Sequence, residues 1–144
     1  MRAHCHALIY LHMSVENQNK TSSQGSSSVL ETMRITLSDF AKDRDWEQFH
    51  SIRNLVLALV GEVGELAAEF QWLNDEQVES AMLDTQKREA VGSELADILA
   101  YLIRIADIAD FDLESELMKK LTINDSRYPV DKSKGSSAKY TAYE

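Results

Sequence analysis

Two pairs of carboxylates stand one helical turn apart in otherwise apolar surroundings: Glu62 with Glu65, and Glu94 with Asp97. The first pair lies in the stretch Leu55 to Leu73, which has no proline and is rich in leucine and alanine, so a helix is expected there. At about 100° per residue, Leu55, Ala58, Glu62, Glu65, Leu66, Glu69 and Leu73 share one side, and Val56, Val60, Val63, Ala67 and Phe70 another. A helix apolar nearly all round is expected to be buried nearly all round. Glutamates inside it are costly unless something positive compensates them. The stretch Glu89 to Ile108 repeats the pattern: Glu94, Asp97, Tyr101, Arg104 and Ile108 form one stripe, and Leu95, Leu99, Leu102 and Ile103 a wide apolar face. Packed antiparallel, the two helices bring four carboxylates to one point. Four unpaired negative charges do not share a dry site, so a divalent cation is the economical explanation.

The competing reading makes the acids solvated edges or salt-bridge members, with Lys87, Arg88 and Arg104 as their partners. If a metal is bound, the donor set narrows its identity. All four donors are carboxylates with no histidine, which favours Mg²⁺ or Mn²⁺ over zinc. Di-iron bundles use Glu-x-x-His on two helices, and positions 65 and 97 are acidic instead. Mg²⁺ held by few protein carboxylates keeps positions for water and phosphate oxygens, which points to phosphate-ester or phosphoanhydride chemistry.

The rest of the chain sets the elements that must position these acids. Its 144 residues suit one domain, and 44 % hydrophobic content is enough for a core. Five glycines and one proline favour helices over sandwiches or barrels. A net charge of −9 argues against binding a nucleic-acid polymer through a basic face. It leaves room for a small phosphorylated ligand, because a bound metal reverses the local sign. Cys5 is the only cysteine, which excludes a disulfide framework and a thiolate zinc site. No run approaches the roughly 18 apolar residues of a membrane span.

Residues 1–32 read as a disordered leader, polar and rich in Ser, Asn, Gln and Thr. Its short apolar patch Ala7 to Leu11 lacks the length of a secretory signal. A harmless leader and an organelle-targeting segment are the two readings. A domain is expected over 33–130 and a polar tail over 131–144. A first helix is expected from about Leu37 to Asp45, capped by Thr36 or Ser38, with Ile35, Phe40 and Ala41 on its buried side. Trp46 and Phe49 follow, as core packing or as a stacking surface for a planar ligand. Ser51 can cap the first acidic helix. Gly61 and Gly64 lie inside that helix, each costing about 1 kcal/mol against alanine, and suggest the close approach of another backbone. Asn74 to Asp84 reads as a connection with room for a short helical turn, and a third helix as Thr85 to Asp110. Asp112 can cap a fourth through about Leu121, and Pro129 forbids continuation.

At the acidic residues the chain resembles a known family. Glu62-x-x-Glu65, then 28 residues, then Glu94-x-x-Asp97 is similar to the signature of the all-α nucleoside triphosphate pyrophosphohydrolases, the MazG-like superfamily. More specific words surround it. Arg44-Asp45-Trp46-Glu47-Gln48-Phe49-His50, Arg53-Asn54-Leu55, the run Leu57 to Leu66, and Phe70-Gln71-Trp72 resemble the dCTP pyrophosphatase branch. So do Glu94-Leu95-Ala96-Asp97, Tyr101-Leu102, Ile123-Asn124, Arg127-Tyr128-Pro129 and Lys139-Tyr140-Thr141. The resemblance covers about Phe40 to Thr141.

It implies an all-α, four-helix domain assembling as a homotetramer, a dimer of dimers. It implies hydrolysis of dCTP and base-modified dCTP to the monophosphate and pyrophosphate, in sanitation of the deoxynucleotide pool by a cytosolic enzyme. By motif position, Glu62, Glu65, Glu94 and Asp97 would hold Mg²⁺. Trp46 and Trp72 would enclose the base, with Tyr101 and Asn124 nearby. Lys120, Arg127, Lys139 and Tyr140 would contact phosphate, and Glu65 or Glu69 would act as general base. The chain departs from the family at Asp125-Ser126, where basic residues are usual, and at Leu37, where related chains can carry a histidine. Those departures bear on base preference and phosphate affinity. The alternatives are a dUTP or broad-specificity triphosphate pyrophosphohydrolase, and a non-catalytic helical oligomerisation module.

Overall fold

The computed structural model describes residues 28–142, and every regular element among them is helical. The described chain divides into two compact units, 28–109 and 110–142.

The first unit begins with α1, Val29–Lys42, two turns ahead of the expected start. Ser28 supplies the cap, its hydroxyl accepting from the Glu31 N–H at 3.2 Å. The Ser-rich run before it hides this start in the sequence. Of the side expected to be buried, Ala41 is buried, Phe40 half-buried and Ile35 exposed. Residues 1–27, and with them the apolar patch of the expected leader, lie outside the described residues.

The end of α1 is set by Asp45, whose φ of 55° is left-handed, a conformation Asp tolerates better than bulkier residues. The Trp46 N–H donates to the Ala41 carbonyl at 2.9 Å and the Asp45 N–H to the Lys42 carbonyl at 3.0 Å. This crossed pair is a helix-terminating Schellman motif, and it delivers Trp46 into a 3₁₀ turn over Glu47–Phe49.

Helix α2 spans Ile52–Ala68, capped by Ser51 through the Asn54 N–H. It stops short of the expected Leu73. Beyond it the chain turns through Phe70 and Trp72 into α3, Asp75–Ala81, which carries a complete capping box between Asn74 and Gln77. Helix α4, Thr85–Ile108, is the longest element at 24 residues, about 36 Å. It packs along α2 and also against α1. The core runs along it: Val91, Ala100, Tyr101, Ile103 and Ala106 are buried, with Leu55 of α2 and Ala41 of α1.

The expectation that α2 is buried nearly all round is not met within one chain. Leu55 and Glu62 are buried, while Val56, Leu57, Val60 and Val63 are exposed, Val60 by 64 %. One antiparallel neighbour covers one face of a helix and no more. Nothing lies within 4 Å of a side-chain carbon added at Gly61 or Gly64, so no backbone of the described chain makes the close approach that these glycines suggest.

The second unit holds α5, Leu113–Arg127, capped by Asp112 as expected but two turns longer than expected. It ends where Tyr128 precedes Pro129, a position that disfavours helical backbone. The four-residue α6, Val130–Ser133, and a 3₁₀ turn over Tyr140–Ala142 follow. The tail docks locally, with Tyr140 edge-on to Tyr128 at 6.1 Å between ring centroids.

Candidate active site

The carboxylates of Glu62, Glu65 and Glu94 each offer an oxygen, and these oxygens all lie within 4.8 Å of one another. Two helices make the arrangement. The i, i+3 spacing stacks Glu62 and Glu65 on α2, and the antiparallel α4 brings Glu94 to the same level. Glu62 is buried, at 4 % exposure. Asp97 stands outside the 4.8 Å group, yet its charge reaches Glu62. Burial foremost, then the charges of Asp97, Glu65 and Glu94, push the Glu62 carboxyl up to about 7, and a hydrogen bond with Glu94 adds to the effect.

The cations nominated for the salt-bridge reading make other pairs. The Lys87 ammonium donates to the Glu69 carboxylate at 2.6 Å and to the Glu69 carbonyl at 2.5 Å. Arg104, buried on α4, pairs with Asp107, which also receives Arg34 of α1 at 2.6 Å. Arg88 donates to the Met82 carbonyl at 3.4 Å. An all-oxygen donor set whose buried member is pushed toward neutrality by its neighbours fits a hard divalent cation, which removes the repulsion.

Glu69 is set apart from the cluster. It caps the end of α2, and its carboxylate is held by Lys87. Trp46 is half-buried, with Phe40 at 5.9 Å and His50 at 6.5 Å between ring centroids. Trp72 projects from the turn after α2 and is 85 % exposed. Tyr101 is buried on the α4 stripe that carries Glu94 and Asp97. The other nominated residues lie in the second unit. Lys120, Asn124 and Arg127 fall on one stripe of α5, at i, i+4 and i+7. The Arg127 guanidinium lies 4.9 Å from the Tyr140 ring centroid, and the Lys139 ammonium 6.0 Å. Asn124 lines an open cleft of about 550 Å³ with Leu121, Thr122, Asp125 and Tyr128.

His50 escapes a reading of the residues alone, while Lys87, expected as a salt-bridge partner of the acids, is found on Glu69. His50 sits against Trp46, and burial first, then the Arg104 charge, lowers its pKa. Lys87 anchors the end of α2. Its signal was present in the spacing, because Glu69 lies seven residues beyond Glu62 and Lys87 seven before Glu94.

These helices and their acidic seam define the class: the chain belongs to the MazG-like family, whose sequence pattern matches residues 58–142. It is 48 % identical over 116 residues to bovine (Bos taurus) dCTP pyrophosphatase 1, an alignment covering 81 % of this chain and 69 % of the relative. It is 46 % identical over 112 residues to the human (Homo sapiens) dCTP pyrophosphatase 1, covering 78 % and 66 %. Among solved structures, a pyrophosphatase from Archaeoglobus fulgidus DSM 4304 superposes with a TM-score of 0.67 at 28 % identity, covering 75 % of this chain and 99 % of that one. No helix among the described residues is long and apolar enough to cross a membrane.

Proposed function

We propose that this chain is a cytosolic, Mg²⁺-dependent pyrophosphohydrolase that cleaves dCTP and base-modified dCTP to the monophosphate and pyrophosphate. The observation that carries the reading is the convergence of Glu62, Glu65 and Glu94 within 4.8 Å across two helices. Its placement in a chain nearly half identical to dCTP pyrophosphatases supports the substrate. Glu62, Glu65, Glu94 and Asp97 hold the metal, which when bound neutralises the triphosphate and acidifies water.

The chain's own residues do the rest. Of the two candidates for general base, Glu69 is engaged by Lys87, so Glu65 is assigned the proton of the attacking water. Water adds at the α-phosphorus, the α–β bond breaks, and pyrophosphate departs. Trp46 and Trp72 enclose the base by stacking, with Tyr101 and Asn124 supplying polar contacts. Lys120, Arg127, Lys139 and Tyr140 bind phosphate oxygens. The active form is a homotetramer. The exposed apolar residues Val56, Leu57, Val60 and Val63 of α2 and Leu95, Leu99 and Leu102 of α4 support assembly, since a monomer rarely leaves such a stripe in water.

Pyrophosphate release from a panel of deoxynucleoside triphosphates, with and without Mg²⁺, tests the activity. dCTP should lead, and release should vanish in EDTA. Preference for dUTP, or metal-independent release, overturns the assignment. Light scattering at micromolar concentration should return four subunits, and a monomer refutes the assembly.

A further inference from the structure

We infer that Lys87 is a positioning residue for Trp72, fastening the turn that carries the indole to the start of α4. The inference rests on the base-enclosing role proposed for Trp72.

Trp72 lies three residues beyond Glu69 and is 85 % exposed, so packing within the described chain does little to fix it. Its position is inherited from the backbone at the two ends of the connection between α2 and α4. At the first end, Lys87 Nζ is 2.5 Å from the Glu69 carbonyl and 2.6 Å from the Glu69 carboxylate, and lies 5.7 Å from the Phe70 ring centroid. A carbonyl at a helix C-terminus has no partner inside its own helix, and a cation there complements the helix dipole. At the second end, the Lys87 backbone N–H donates at 2.8 Å to Asp84, the cap of α4. One residue therefore closes the connection from both sides. The ammonium is half-buried, so water and salt screen this pairing less than an exposed one.

Without the ammonium, the last turn of α2 frays and the indole spreads over more positions. Ordering it again on binding offsets part of the stacking free energy. A stacked base is held alike in ground and transition states, so the loss falls on KM rather than kcat. Lys87 stands two turns before Glu94, which leaves the carboxylate cluster in place.

The test is steady-state kinetics on dCTP with the full chain and with Lys87→Met, Lys87→Arg, Trp72→Ala and the Lys87→Met/Trp72→Ala pair. Lys87→Met should raise KM about fivefold, the scale of re-ordering one side chain, with kcat within about twofold. Its Mg²⁺ half-saturation should not move. Lys87→Arg should restore KM, and the double variant should have the KM of Trp72→Ala. A normal KM in Lys87→Met beside a raised one in Trp72→Ala overturns the inference and spares the role of Trp72. Multiplying effects in the double variant also overturn it, because Lys87 then acts by another route. A normal KM in Trp72→Ala removes the base-enclosing role and this inference with it. Should Lys87→Met fail to fold, Lys87→Gln takes its place with the same expectations.

Discussion

Glu62 on α2 and Glu94 on α4 face each other across the seam between the two helices, with carboxylate oxygens within 4.8 Å. Burial foremost, then the charges of Asp97, Glu65 and Glu94, hold the Glu62 carboxyl near 7 rather than at its usual 4.5. The same register continues in both directions. Seven residues one way it sets Glu69 against Lys87, and seven the other way it leads to Leu55 and Tyr101, both buried. One antiparallel pairing of α2 with α4 thus builds the acidic cluster, its ionic anchor and its hydrophobic floor.

The raised Glu62 pKa gives a pH dependence with a definite sign. A carboxyl that holds its proton more tightly folded than unfolded favours folding fully below about 4.5, and that contribution is lost as pH rises through about 7. The metal-free chain should lose on the order of 3 kcal/mol from this group across that window. Urea unfolding in EDTA at pH 5 and pH 8, at constant ionic strength, measures it. Mg²⁺ competes with the proton, so the Tm gained from millimolar Mg²⁺ should be larger at pH 8 than at pH 5. An equal gain at both would remove Glu62 from the metal site.

Glu62→Gln and Asp97→Asn each delete one charge and keep the side chain's size. Hydrolysis should fall more than about a hundredfold in either, exceeding the loss common for residues that merely support metal ligands. In EDTA at pH 8, Glu62→Gln should be no less stable than the parent, since it relieves the repulsion within the cluster. Retained Mg²⁺-dependent turnover in both variants would end the assignment of these acids to the metal.

How far the sequence carried the fold can be read from its helix ends. Ser51 and Asp112 cap the helices they were expected to cap, and three of the four i, i+3 acids converge because the period of a helix is local. The end of α2 was illegible, because its apolar pattern runs on to Leu73 and the partner that ends it lies 18 residues away on α4. The start of α1 was hidden for the opposite reason. Its cap, Ser28, closes a run of similar polar residues, so nothing local sets it apart. Glu69 looked equivalent to Glu65 by helical position, and only the location of Lys87 separates them. The exposed valines of α2 mark a face that was expected to be buried, because a periodicity says that a face is apolar and not what covers it.

Asp107 should matter more than its surface neighbours. It pairs with Arg104, which is 5 % exposed, and with Arg34, which is half-exposed. Asp107→Asn leaves a buried guanidinium without its counter-charge, at a cost on the order of 3 kcal/mol. Arg34→Ala removes the more exposed arm, together with its pairing to Glu31, and should cost less than about 1 kcal/mol. Denaturant unfolding of the two variants decides the ranking, and equal losses would refute it.

Trp72 carries the sharpest expectation for the substrate. It follows the end of α2 and Trp46 precedes its start, so in one subunit most of a 17-residue helix, about 25 Å, separates the two indoles. A shared base pocket therefore needs a neighbouring subunit, which ties base recognition to assembly. Trp72 is 85 % exposed, so Trp72→Ala removes little packing and should leave Tm unchanged. Stacking contributes roughly 1–3 kcal/mol per base. The KM for dCTP should then rise about tenfold or more while kcat holds, because the ring is gripped equally before and during the chemistry. A methyl or halogen at the cytosine 5-position should be accepted, since it widens the stacked surface and blocks no Watson–Crick contact. An unchanged KM in Trp72→Ala would return this indole to a structural role.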